Sequence, residues 1–255
     1  MKVPVSVVII ANNAARTIEK VLQSAKQLTD DIVIVDSGST DGTLLLVQKY
    51  NPLVIQAPWN GYGPNKNLGN RSAKNNWILS LDADEVPDMQ LISHVKKLDF
   101  TDTGKIYEMK IINYLGSKPV RFGEWRNDKV TRLFNKEITN WNDAPVHEQL
   151  ISSRPVTTVR LKGFIHHFTT PDIASFKIKQ QRYAEMMAEK YYAAGKKAGA
   201  LKMFLSPLFS FIKNFIFFAG WMDGKNGLNI ALANSYYTYN KYRLLKKKWR
   251  MSGKK

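Results

Sequence analysis

The chain predicts an α/β fold, a mostly parallel central sheet followed by a C-terminal helical extension. Three observations carry this. Short apolar strand patterns alternate with helical ones through the first hundred residues. Polar turns carrying glycine and aspartate follow the strands. Beyond Pro171 the pattern is helical to the end.

Val5-Ser6-Val7-Val8-Ile9-Ile10 is a nearly continuous β-branched run, the pattern of a first strand covered on both faces. Ile18, Val21, Leu22 and Ala25 then recur at helical spacing. Ile32 to Val35 reads as a second buried strand, Leu44 to Tyr50 as a helix, and Leu53 to Ile55 and Trp77 to Leu81 as further strands. From about residue 100 the alternation weakens. Ile106 to Ile112, Val130 to Phe134 and Val159 to Ile165 are the expected strands there, separated by irregular stretches and assigned to the acceptor side. In the helical remainder, breaks are expected at Gly195, Gly199, Pro207, Gly220 and Gly224. The chain therefore divides into a catalytic domain, residues 1–171, and a basic amphipathic extension, residues 172–255.

A length of 255 residues suits one α/β domain with a helical appendage rather than an array of small modules. The absence of cysteine removes disulfides, thiolate metal sites and a cysteine nucleophile, and suits a reducing compartment. Met1-Lys2-Val3-Pro4 runs directly into the first strand rather than into a secretory signal, so a cytosolic chain is expected. The formal charge is +17, unevenly placed. Residues 172–255 hold 17 basic and 4 acidic residues, a net +13, and residues 1–171 carry only +4.

Ligands of such a sheet bind at the carboxyl ends of its strands. Asp36 ends the second strand and opens the turn Asp36-Ser37-Gly38-Ser39-Thr40-Asp41-Gly42-Thr43, where a carboxylate suits ribose hydroxyls or a base. Asp41 and Thr43 are equally suited to capping the next helix. Leu81-Asp82-Ala83-Asp84-Glu85 follows an apolar strand, and the i, i+2 spacing aims both aspartates one way with Ala83 inward. Two convergent carboxylates favour Mg²⁺ or Mn²⁺ bridging donor phosphates, against the simpler reading of a solvated turn before Pro87. Lys66 lies in Trp59 to Asn67, a glycine- and aromatic-rich loop leading into a helix, where it could meet a phosphate or uracil or remain solvated. Glu148 and Asp128 are the candidate bases, and His94 is read as structural.

In sequence order these residues resemble family 2 glycosyltransferases of the GT-A, Rossmann-like fold. The matching blocks are Ser6 to Asn13, Val33 to Thr43, Trp59 to Asn67 and Leu81 to Glu85. Arg132-Leu133-Phe134, Val146-His147-Glu148, His166-His167-Phe168-Thr169 and Gly220 to Gly224 extend the resemblance toward bacterial lipopolysaccharide-core β-1,4-glucosyltransferases. The resemblance implies an inverting transfer of a hexose, with UDP-glucose as leading donor, to a cell-envelope glycolipid such as the lipopolysaccharide core. It implies nucleotide-sugar contacts at Asn13, Asp36, Ser39, Lys66 and Asp82. Asp84 and Asp82 become metal ligands, joined by His167 in preference to His166, and Glu148 becomes the base ahead of Asp128. Ala14 stands where the family often has an acidic residue, and the Gln-x-x-Arg-Trp block of processive enzymes is missing, which argues against a polysaccharide synthase.

Leu201 to Trp221 is strongly apolar but interrupted by Lys202, Pro207 and Lys213, so it reads as a poor spanning segment. With the basic residues from Lys241 to Arg250 it suits an anionic membrane interface. The chain is accordingly expected to be peripheral on the cytoplasmic face of a bacterial inner membrane, with a lipid-linked saccharide acceptor. Its rivals are a polyprenyl-phosphate glycosyltransferase, a sugar-nucleotide sensor and a basic nucleic-acid-binding module. The last ranks low because the charge is confined to the tail, so no nucleic-acid partner is expected.

Overall fold

A computed structural model describes residues 3–144 and 148–252. The chain forms β1 (Val5–Ala11), α1 (Ile18–Leu28), β2 (Ile32–Asp36), α2 (Thr43–Gln48), β3 (Leu53–Gln56), α3 (Tyr62–Ser72) and β4 (Trp77–Asp82). There follow β5 (Glu85–Pro87), α4 (Met89–Val95), β6 (Lys105–Leu115), β7 (Lys118–Val120), β8 (Lys129–Asn135), β9 (Thr139–Trp141) and β10 (Leu150–Ser152). The last elements are β11 (Thr157–Thr170), α5 (Ile173–Ala193), α6 (Ala200–Ile212) and α7 (Gly224–Met251).

The expected alternation is realised in the first four long strands, which lie in the order β3-β2-β1-β4 and pair in parallel. β1 and β2 are buried along their whole length, which is why they read as continuous apolar runs rather than alternating ones. α1 covers them with Ile18, Val21, Leu22, Ala25 and Leu28, all fully buried. Each of the larger of these side chains, Ile18, Val21, Leu22 and Leu28, contributes roughly 1.5–3 kcal/mol on leaving water, before the entropic cost of ordering it. The parallel register puts Ala11 opposite Asp36 and Ile10 opposite Asp82, so the polar ends of β1, β2 and β4 share one sheet edge. β8 then pairs antiparallel to β4, and β6, β11 and β5 complete the path.

Close contacts group residues 1–111 with 128–167, and residues 112–127 with 168–255. In the second unit, Leu115, Val120, Phe176, Ile230 and Ala233 form a small core. Here the structure corrects one expectation. Pro207 does not break the helical run; it lies inside α6. A proline inside a helix removes one N–H and costs about 3 kcal/mol in isolation. Pro207 is buried, and its carbonyl accepts from the Ser235 hydroxyl of α7 at 2.9 Å, so packing on α7 offsets that cost.

Candidate functional site

The loops after β1 and β2 are laced together at the sheet edge. Asn13, at a positive φ of 50°, accepts through Oδ1 from Thr40 N at 2.8 Å, and its own N–H donates to Ser39 Oγ at 2.9 Å. Asp36 is fully buried and turned onto its own loop, accepting from Gly38 N at 3.1 Å, Ser39 N at 2.9 Å and the Ser39 hydroxyl. Its carboxylate thus shapes the turn after β2. Asp41 accepts from Thr43 N, the first residue of α2, and from Ala15 N at 3.1 Å, while the N-cap position itself is Gly42.

Lys66 is neither solvated nor at a helix start. It lies a full turn into α3, completely buried, with Nζ 2.7 Å from Glu148 Oε1 and 3.1 Å from Asp82 Oδ1. The Trp141 ring lies beneath the ammonium, 4.7 Å from Nζ to the centroid. Two carboxylates and an aromatic face replace the water such a cation would otherwise require. Gly63 permits this arrangement, because a Cβ there would sit 1.8 Å from the Asn142 carbonyl oxygen. Asn67 fixes the same neighbourhood by exchanging hydrogen bonds with the Trp141 backbone at 2.7 and 3.1 Å.

Asp82 ends β4, but Asp84 belongs to the two-residue turn before β5, so strand alternation does not set the direction of both carboxylates. Asp82 meets Lys66 on one side and Arg132 Nη2 at 3.2 Å on the other. Burial pushes its pKa up, but Lys66 and Arg132 outweigh that and hold it at about 2. Arg132 is itself buried and forks onto Glu85 at 2.9 and 2.6 Å. Burial lowers the Arg132 pKa, and the facing Glu85 and Asp82 carboxylates more than restore it. Glu85 and Arg132 were not singled out individually from sequence, where a buried ion pair between distant strands leaves no local pattern.

Asp84 faces His167, with Oδ2 and Nε2 3.4 Å apart. His167 lies opposite Glu85 in the antiparallel β5–β11 pair, and the adjacent His166 lies opposite Val86. Burial depresses the His167 pKa, and the Asp84 carboxylate reverses this into a net rise. Asp128 stands just before β8, where its carbonyl accepts from Ile111 N at 2.9 Å, and Glu148 is the candidate base bonded to Lys66. His94 accepts from Lys162 N at 2.8 Å, in keeping with a structural role. Val146 and His147 of the Val146-His147-Glu148 block lie outside the described residues.

The residues suit a divalent cation in part. Asp84 and His167 present an oxygen and a nitrogen donor at the surface, 33% and 24% exposed, and Asp82 Oδ1 has an ion-pair partner but no aligned hydrogen-bond donor. Among the described residues no three His, Cys, Asp or Glu side chains converge, so oxygen ligands from a bound anion would have to complete the coordination.

The sequence model of glycosyl transferase family 2 matches residues 6–153, the stretch containing every cluster residue except His167. The lipopolysaccharide core biosynthesis glycosyltransferase LpsC of Rhizobium meliloti (strain 1021) is 28% identical over 249 residues, covering 93% of this chain and 90% of that protein. Glycosyltransferase RP128 of Rickettsia prowazekii (strain Madrid E), itself uncharacterized, is 27% identical over 88% of this chain and 80% of its own length. Among solved structures, the mannosyltransferase PcManGT of Pyrobaculum calidifontis, in complex with GDP-Man and Mn²⁺, aligns with a TM-score of 0.53 at 14% identity. That alignment covers 100% of this chain and 89% of that one, a likeness of fold, the GT-A architecture.

Proposed function

The chain belongs to glycosyl transferase family 2, and from that premise we propose that it is a metal-dependent, inverting hexosyltransferase. Its donor is a UDP-sugar, with UDP-glucose first, and its acceptor a lipid-linked saccharide of the lipopolysaccharide-core type at the cytoplasmic face of the membrane. The observation that carries this reading is Lys66, whose buried ammonium joins Asp82, at the end of β4, to Glu148. The likeness to LpsC, a lipopolysaccharide core biosynthesis glycosyltransferase, supports the acceptor class, and the mannosyltransferase in complex with GDP-Man and Mn²⁺ supports a nucleotide sugar with a divalent ion.

In this reading Asn13, Ser39 and the Asp36 turn receive the nucleoside. Asp84 and His167 hold a divalent cation, Mg²⁺ or Mn²⁺, which when bound supplies positive charge against the donor diphosphate. Lys66 keeps the Glu148 carboxylate in place, 15% exposed, so that it meets an acceptor hydroxyl from the open side. Glu148 takes the hydroxyl proton as that oxygen attacks the anomeric carbon, and the bond from that carbon to the diphosphate breaks with its electron pair leaving on the nucleotide. Arg132 and Lys66 hold Asp82 between them, fixing the floor of the site.

A screen of nucleotide sugars, with saccharide and polyprenyl-phosphate acceptors offered separately, tests this. Asp84→Ala is expected to abolish metal-dependent donor binding. Glu148→Gln should bind donor normally and lose transfer by about 10²–10⁴-fold. Metal-dependent donor binding that survived Asp84→Ala would sink the assignment.

A further inference from the structure

We infer that the outward face of α6, the face not packed on α7, docks on an anionic bilayer surface with the helix lying in the plane of the interface. This helix turns most of its large apolar side chains outward, while the side packed on α7 mixes apolar and polar residues. Met203, Pro207, Ser210 and Asn214 recur every three to four residues and form the less exposed stripe, with Pro207 and Asn214 buried. That stripe carries the polar contacts: Ser235 Oγ donates to the Pro207 carbonyl at 2.9 Å, and Asn214 Nδ2 to the Ser210 carbonyl at 3.0 Å. The opposite side presents Leu201, Phe204, Leu205, Leu208 and Phe209, each more than half exposed. A helix that leaves this many large apolar side chains facing outward marks a surface that gains by meeting an apolar medium.

Residues 200–217 are long and apolar enough to cross a membrane by length and composition. Crossing is disfavoured because Lys202 and Lys213 lie within the segment and one stripe is already occupied by α7. An in-plane position keeps both lysines at headgroup depth, where their long stems can extend from the Tyr242 and Phe218 rings they now lie over, while Trp221, 58% exposed, follows at the end of the segment. Charge selects the occupant. Residues 172–255 carry +13, so a second copy would set +13 against +13, whereas an anionic leaflet complements it. A second stripe, Leu228, Leu232 and Tyr236, is exposed on α7 at four-residue spacing and enlarges the apolar surface of this unit.

The inference needs neither donor nor acceptor, so it stands or falls apart from the transferase reading. The full chain is floated with phosphatidylcholine vesicles, and with vesicles carrying about 30 mol % phosphatidylglycerol, without sugar nucleotide. Wild type should float with the anionic vesicles, and brominated acyl chains should quench a part of the tryptophan fluorescence that Trp221→Phe removes. The double variant Leu208→Ser/Phe209→Ser alters exposed positions only; with an unchanged circular dichroism spectrum and urea-unfolding midpoint, its partitioning should fall by about tenfold or more. Wild type that fails to float, or a folded double variant that floats equally well, overturns the proposal. So does a wild-type dimer in sedimentation equilibrium that the double variant abolishes, which would make the face an interface between copies.

Discussion

Asp82 shows how one carboxylate is stabilised by its surroundings. Its folded pKa of about 2 lies below the ordinary aspartate value because Lys66 and Arg132 overcome the opposing effect of burial. A depressed acid contributes stability that is fully present above its unfolded pKa, about 3.9, and is lost as pH falls through the folded value. The folding free energy should therefore decline between about pH 4 and about pH 2, measured by urea unfolding at a series of pH values. Asp82→Asn should flatten that part of the profile while lowering stability at neutral pH, because Lys66 and Arg132 lose a counter-charge they share. An unchanged acid slope in Asp82→Asn would show that the pairing contributes nothing to stability.

At the scale of elements, α3 explains both what the sequence discloses and what it hides. β1, β2, α1 and β4 are legible because each buries an apolar pattern, continuous in the strands and at helical spacing in α1. The buried positions of α3 are Gly63, Asn65, Lys66, Gly69 and Asn70, so it has no apolar stripe to read. Glycine is needed at Gly63 for the backbone of Asn142, and at Gly69 for Val8, whose Cγ1 would lie 2.4 Å from an added Cβ. The Asp82–Asp84 segment and Glu148 could be read as a constellation, but the burial of Lys66 and the Arg132–Glu85 pair arise only when distant segments meet. The Asp84 turn escaped the strand rule for the same reason: β5 follows at once and pairs with β11, some eighty residues on. Gly63→Ala is accordingly expected to do more than a helix propensity scale suggests, where alanine improves on glycine. Forcing α3 away from Asn142 should cost about 1–3 kcal/mol in urea unfolding. Transfer should fall further than stability does, because Asn142 N donates to the Gln149 carbonyl, next to Glu148. A stabilised, fully active Gly63→Ala protein would contradict the packing described.

For the molecule as a whole, the uneven charge separates two kinds of salt dependence. The tail's +13 acts on whatever large anionic surface the second unit meets, and the first 171 residues, at +4, exert a weaker field. Raising NaCl from about 0.05 to about 0.5 M shortens the screening length from roughly 14 Å to roughly 4 Å. Flotation with anionic vesicles should weaken by about tenfold or more over that range, yet reach a floor set by the apolar face of α6 rather than zero. Donor hydrolysis measured without vesicles should change by less than about threefold, since its contacts are short and partly buried. Leu208→Ser/Phe209→Ser should remove the high-salt floor while leaving the salt-dependent part of binding in place. A wild-type curve that falls to zero at high salt would assign membrane binding to the lysines alone, and one indifferent to salt would assign it to the apolar face alone. Binding that combines a salt-sensitive part with a salt-resistant floor is what a basic unit with an outward apolar helix requires.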